Sequence, residues 1–218
     1  MTGELVTVTA FTVTMAGLAT LVMLPPGVGL AWLLARREFP GRSVFEALVS
    51  LPLVVPPVAT GLILLKLLGR RGPVGRLLDG LGLEVVFTWK GVVLAMAVMG
   101  LPLLVRAARA GFEQTDRRYE QIAATLGARP WRVFWTISLP LARRGLLAGA
   151  VLGFSRALGE FGATIMVAGA LPGTRTISVA IYRHAEVGQE AAAMTLLAAA
   201  VTIGFAAVWV SNRLATGP

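Results

Sequence analysis

The sequence predicts an all-α fold: a polytopic membrane helical bundle with about five transmembrane helices. Three observations predict it. Of the 218 residues, 56% are hydrophobic and only 14% are charged, against roughly a quarter charged in ordinary soluble domains. The apolar residues fall in long runs, and about 20 of them suffice for a helix to cross a bilayer. The basic residues, nearly all Arg, collect between those runs, where such residues set orientation and meet anionic lipid. That placement argues against reading the net charge of +9 as a nucleic-acid surface, and no nucleic acid is expected. The chain has no Cys, which excludes disulfides and thiolate metal sites. Its single His, His184, has no partner for a zinc site. No metal site is expected, and a polar loop or interface role suits that residue.

The first run, Leu5 to Ala35, is interrupted by Pro25-Pro26-Gly27 and exceeds the minimum length, so it should tilt, kink or begin along the interface. It lacks a basic leader and ends at Arg36-Arg37, which reads as a retained span rather than a cleaved signal. The second run, Val44 to Leu68, contains Pro52, Pro56 and Pro57, which remove backbone donors and should kink it. The third run, Gly91 to Val105, is framed by Lys90 and Arg106 and carries Pro102. The fourth, Gly145 to Leu171, contains Arg156 and Glu160. Gly159 and Gly162 could break it and leave a re-entrant segment. The fifth covers Ala191 to Val210. The loop at Arg36–Arg42, the segment Arg106–Arg144 and the tail after Val210 hold twelve basic residues, against six in the Arg70–Lys90 and Arg175–Arg183 loops. The richer set belongs inside, which puts the N-terminus outside and the C-terminus in the cytoplasm.

Residues 106–144 are polar and basic, yet patterned. Thr115-Asp116 can cap a helix whose Tyr119, Ile122, Ala123 and Leu126 form an apolar face. Gly127 can end that helix, and Pro130 suits the first turn of a second one carrying Trp131, Val133, Phe134 and Trp135. Pro140 then leads the chain into the fourth span. From the residues alone, two readings stay open. The pair can lie on the lipid surface, or it can form a knob whose aromatic residues and basic rim fit a soluble partner.

The stretch Glu120-Gln121-Ile122-Ala123-Ala124-Thr125-Leu126-Gly127-Ala128, followed by Ile137-Ser138-Leu139-Pro140, resembles the EAA loop of bacterial ABC importer permeases. The family pattern is Glu-Ala-Ala, three residues, Gly, nine residues, then Ile-x-Leu-Pro. Gln121 and Ile122 stand where the family usually has Glu and Ala. The Gly127-to-Ile137 gap and the Ile-x-Leu-Pro run match. Leu51-Pro52-Leu53-Val54-Val55-Pro56-Pro57, Arg70-Arg71-Gly72, Ala157 to Thr164, and Thr174-Arg175-Thr176-Ile177 are similar to the molybdate permease family, with the tungstate and sulfate permeases close to it. Ser178 replaces the Pro of the molybdate pattern.

The resemblance implies the type I ABC importer permease fold, built as one transmembrane domain over residues 1–218 with a cytoplasmic coupling loop at about residues 112–140. It also implies a multi-pass protein of the bacterial or archaeal cell (inner) membrane that works as a homodimer. Each copy docks on one subunit of a dimeric cytoplasmic ATPase, and an extracytoplasmic binding protein delivers the oxyanion. The chain has no Gly-x-x-x-x-Gly-Lys-Ser/Thr run. No cofactor is therefore expected in this chain, ATP and Mg belong on the partner ATPase, and the chain itself is not expected to be an enzyme. The residues expected to couple to the ATPase are Glu120, Gln121, Ile122, Ala123, Ala124, Leu126, Gly127, Ala128, Pro130, Trp131, Leu139 and Pro140. Ala123, Gly127 and Ala128 are small enough for close approach.

Within the fourth span, Gly145, Gly149 and Gly153 recur every four residues and suit close helix packing. Arg156 and Glu160 share a face. Each alone would cost about 2.5–3.5 kcal/mol at mid-bilayer, so pairing is the natural relief. Two roles are open for the pair: a structural ion pair, or a gate element beside Gly159, Phe161 and Gly162. Pro56, Pro57, Thr60 and Thr164 are further candidates for a weakly polar pathway. The rival readings are a secondary transporter, for which no inverted repeat is visible, and a membrane enzyme, for which no convergent nucleophile or ligand set is visible.

Overall fold

The structure, a computed structural model, describes residues 2–216. Among them every regular element is a helix. Helix α1 (Thr2–Arg36) is continuous through Pro25 and Pro26, both of which are exposed. At 1.5 Å per residue it runs about 50 Å, well beyond a hydrocarbon core of about 30 Å. Helix α5 (Trp89–Glu113) is the centre of the bundle, with Gly91, Ala95, Gly100, Leu104, Ala108, Gly111 and Phe112 buried along it. Both α1 and α9 (Arg143–Leu158) pack along its length. The main core joins Met15, Ala16, Ala19, Met23 and Leu34 of α1 to Val92, Met96, Leu104 and Phe112 of α5 and Ala157 of α9. Helix α12 (Glu190–Thr216) is peripheral and largely exposed.

The second apolar run is not one kinked helix. It is two helices, α2 (Arg42–Val54) and α3 (Pro57–Leu68), that meet at 111°. A residue before proline is driven out of the helical region, and here that happens twice in succession. Val55 precedes Pro56 and sits at ψ 133°, and Pro56 precedes Pro57 and sits at ψ 134°. Two extended residues in a row turn a kink into a reversal of direction. The Arg70–Lys90 segment holds a short helix, α4 (Pro73–Gly80).

The fourth run is broken. Helix α9 ends at Leu158, and α10 (Gly162–Ala168) begins after Gly159-Glu160-Phe161. Helix α9 is entered through a 73° bend from the helical stretch Pro130–Leu141, so the turn into the fourth span falls near Ala142 rather than at Pro140. The Arg175–Arg183 segment is not a loop but mostly a helix, α11 (Ile177–Glu186). Its first N–H is taken by the hydroxyl of Thr12 at 2.8 Å. Among the described residues three single helices, α1, α5 and α12, are long and apolar enough to cross a membrane, and the count reaches five if each bent pair is one span.

Candidate coupling surface and pathway elements

The segment after α5 folds as the sequence pattern suggests at its turn and less simply elsewhere. Asp116 Oδ1 accepts the Arg118 N–H at 2.9 Å at the start of α6 (Arg118–Thr125). At the other end the Gly127 N–H donates to the Ala124 carbonyl at 3.0 Å, and the Ala128 N–H to the Ala123 carbonyl at 2.9 Å. Gly127 has φ 83°. Together these bonds make a Schellman turn, whose left-handed residue favours glycine. Arg129 is extended before Pro130, the first residue of α7 (Pro130–Val133). A π-helical turn, π1 (Phe134–Ser138), and a short α8 (Leu139–Leu141) follow.

No residue of α6 is buried. Tyr119, Ile122, Leu126, Trp131 and Trp135 are exposed, Leu126 to 83% and Trp131 to 70%. Gln121, Ala124, Gly127, Pro130 and Pro140 are exposed too, while Ala123, Ala128 and Leu139 are half-buried. Arg118, Arg129 and Arg132 are exposed around this apolar patch. The base of the knob is fixed. Phe134 meets Trp32 of α1 edge-on at 5.7 Å and stacks near Trp131 at 6.2 Å, and Trp131 meets Trp135 at 5.3 Å.

Glu120 differs from the other residues of the stretch because it turns inward. Its Oε1 lies 3.0 Å from Arg36 Nε and accepts the Ser138 hydroxyl at 2.8 Å. Arg36 also donates to the Thr115 carbonyl at 3.1 Å, and Arg117 donates to the Ala35 carbonyl at 2.8 Å. Arg36 and Arg117 were not legible as site residues, since their contacts join positions 84 and 82 apart in the chain, and Ser138 stood in the Ile137-to-Pro140 stretch without a role of its own.

The glycines of α9 lie against α5 and α1. A methyl at Gly145 would meet the Gly111 Cα at 2.5 Å, one at Gly149 the Leu104 carbonyl at 2.8 Å, and one at Gly153 the Met23 side chain. The same closeness recurs between α3 and α10. A methyl at Gly61 would sit 2.7 Å from the Ala163 Cα, and one at Gly162 would sit 2.8 Å from Pro57.

Arg156 Nη1 lies 2.6 Å from Glu160 Oε2, with Glu160 fully buried and Arg156 partly exposed. The other carboxylate oxygen of Glu160 accepts the Ala163 N–H at 2.8 Å in the first turn of α10. The pair therefore bridges the break between α9 and α10. Gly159 is exposed at that break, and Phe161 packs on Tyr182 of α11 at 5.1 Å. Pro56 and Pro57 are exposed, whereas Thr60 and Thr164 are buried within the single chain.

On α5, Arg109 reaches Glu46 of α2 and Glu113. Arg70, ahead of α4, is bonded to Glu84 and lies 3.9 Å from Asp79. The Glu84 hydrogen bond first, then the charges of Glu84 and Asp79, hold its guanidinium above the ordinary arginine range. Among the described residues no group of His, Asp and Glu could hold a metal ion.

Residues 27–216 match the family described as "Binding-protein-dependent transport system inner membrane component". The chain belongs to this family. As a multi-pass inner membrane component of a transport system it is a transporter part, consistent with the non-enzymatic expectation. The chain is 47% identical over 203 residues to the "Molybdenum transport system permease protein ModB" of Escherichia coli K12, covering 92% of this chain and 89% of the relative. It is 35% identical over 205 residues to the "Probable sulfate transport system permease protein cysT" of Marchantia polymorpha, covering 94% and 71%. Among solved structures, the inward-facing MetNI methionine ABC transporter aligns with TM-score 0.70 at 16% identity, covering 97% of this chain and 94% of that one. The type I importer permease fold expected from the EAA-like stretch is thus the fold observed.

Proposed function

We propose that this transport component is the membrane-spanning permease subunit of an ATP-driven importer, and that its cargo is molybdate. The observation that carries the reading is the 47% identity to a molybdenum permease over nearly the full length of both proteins. The exposed knob supports it. A large apolar patch outside the spanning helices, rimmed by arginines, suits a soluble partner better than water. We assign the docking of a dimeric cytoplasmic ATPase to Ile122, Leu126 and Trp131, with Gln121 standing where the family usually carries Glu. ATP and Mg would sit on that partner, and a second copy of this chain would complete the pathway. An extracytoplasmic protein would deliver the oxyanion. On the arginine distribution the N-terminus lies outside and the C-terminus in the cytoplasm.

In this reading the chain acts as one domain, residues 1–218, with the coupling loop at residues 112–140. ATP-driven closure of the partner moves the knob, and the knob moves the helices. The Arg156–Glu160 pair, which joins α9 to α10 across Gly159, holds the break between those helices rigid. The pathway would then run past the α3–α10 contact, where Pro56 leaves backbone groups outside a helix.

Reconstitution of the chain with its ATPase and its oxyanion-binding protein in proteoliposomes tests the reading. Molybdate uptake that requires ATP hydrolysis is the expected result. Uptake of sulfate instead would reassign the cargo, and uptake driven by an ion gradient without ATP would sink the importer reading.

A further inference from the structure

The EAA-like stretch is held with little apolar burial. None of the residues of α6 is buried, so hydrophobic packing does not fix it to the bundle. What ties it down is polar. The Glu120 carboxylate receives Arg36 of the last turn of α1 and the hydroxyl of Ser138 in π1 on one oxygen. Arg36 is 5% exposed and Ser138 is 1% exposed, so the contact is largely shielded from water and from screening by salt. Around it, Arg117 and Arg42 cover the last carbonyls of α1, Ala35 and Leu34. One carboxylate thus joins three elements: the C-terminus of α1, the first turn of α6 and the turn that leads into α9.

We infer that Glu120 is a positioning residue: a strut, paired with Arg36 and Ser138, that passes movement of the docking knob to α1 without touching the ATPase. The inference rests on the importer reading above and deepens it. A knob can move the spanning helices only if it is rigidly attached to them. The Trp32–Phe134 contact attaches π1 to α1, whereas α6 is attached through polar groups: the Schellman turn, Arg117 at its N-terminal cap on the Ala35 carbonyl, and this strut. A charged, multiply bonded contact of fixed geometry is stiffer than an exposed apolar one. The docking surface formed by Ile122, Leu126 and Trp131 is exposed, whereas the Glu120 carboxylate faces inward. Binding and transmission are therefore carried by different side chains of the same short helix–turn–helix segment.

The test uses the complete complex in proteoliposomes and reads three quantities: ATPase co-purification, ATP hydrolysis, and oxyanion taken up per ATP hydrolysed. For E120Q and for S138A the strut predicts co-purification equal to wild type. It also predicts uptake per ATP lowered by at least roughly fivefold for E120Q, the low end of the coupling between linked sites, and lowered less for S138A. The R36E/E120R swap should recover part of the E120Q loss, because the pair is re-formed. Loss of co-purification in E120Q would make Glu120 a docking contact and overturn the strut while upholding the importer reading. An unchanged ratio of uptake to hydrolysis in E120Q and S138A would overturn the strut outright. Absence of ATP-dependent uptake in the wild-type complex would instead be a failure of the importer reading. If E120Q does not insert, S138A carries the same prediction with a substitution that removes only a hydroxyl.

Discussion

Helix α9 and the end of α6 with its turn both carry small residues, and they use them in opposite ways. On α9 the glycines are already spent. Gly145 and Gly149 bring the backbone of α9 against Gly111 and Leu104 of α5 so closely that a methyl would collide. At the end of α6 and in its turn less is spent. A methyl at Gly127 would meet nothing within 4 Å, Ala124 is exposed, and Ala123 and Ala128 are half-buried. A small residue in contact reports packing within the chain. A small residue beside exposed Ile122, Leu126 and Trp131 reports room kept for something else. The same composition thus marks a closed contact in α9 and, on the docking reading proposed above, an open one at the end of α6.

Substitutions that break the comparison should separate by their effect on the melting temperature of the purified chain in detergent. The largest loss is expected for Arg156→Ala. It strands the Glu160 carboxylate, buried to 1% exposure, and losing one partner of a buried pair costs about 3 kcal/mol or more. A smaller loss is expected for E160Q, because the amide oxygen still accepts the Ala163 N–H. The charge-swapped pair should not recover, since an arginine at position 160 has no acceptor for that N–H. A swapped chain that melts like wild type would show the Ala163 bond to be idle.

Next in size is Gly149→Leu. Its Cβ would lie 2.8 Å from the Leu104 carbonyl, and overpacking of a tight contact costs about 1–3 kcal/mol. Leu147→Ala, on the exposed side of the same helix, serves as the control and should leave the melting temperature nearly unchanged. Equal losses from the two would mean that α9 does not depend on its close approach to α5.

What the sequence made legible follows the same division. The long apolar runs located α1, α5 and α12 because length and composition are local properties. The Schellman turn at Gly127 was legible because a left-handed residue followed by proline is a local instruction. The 111° reversal at Val55-Pro56 was not, although its cause lies in the two consecutive X-Pro bonds, because prolines show where a helix is interrupted but not how far it turns. Helix α11 was read as loop. Its Ile177, Ala180 and Ile181 do follow helical spacing, but its first N–H is taken by Thr12, 165 residues away. The strut between Glu120 and Arg36 was hidden for the same reason. The resemblance of the EAA-like stretch implied a docking loop, and only the fold separates the residue that turns inward from those that face out.

The smallest effect on melting should come from the open contact at the end of α6, and there the comparison is sharpest. Leu126→Ala removes a side chain that is 83% exposed and contributes almost nothing to the folded chain. Gly127→Ala meets no neighbour, and its cost is only that of holding a Cβ in the left-handed region, about 1–2 kcal/mol, felt locally at the turn. Leu126→Ala should therefore melt close to wild type, and Gly127→Ala somewhat below it through the left-handed turn alone. Docking reads out differently. If Leu126 fills a cleft on the ATPase, burying it is worth about 1.5–3 kcal/mol, so Leu126→Ala should weaken binding of the purified ATPase by roughly tenfold or more. Gly127→Ala should weaken it less, by tilting α6 against α7 rather than by removing contact. A Leu126→Ala chain that binds the ATPase as wild type does would place the interface elsewhere, on Trp131 and Trp135. It would leave the exposed end of α6 facing lipid.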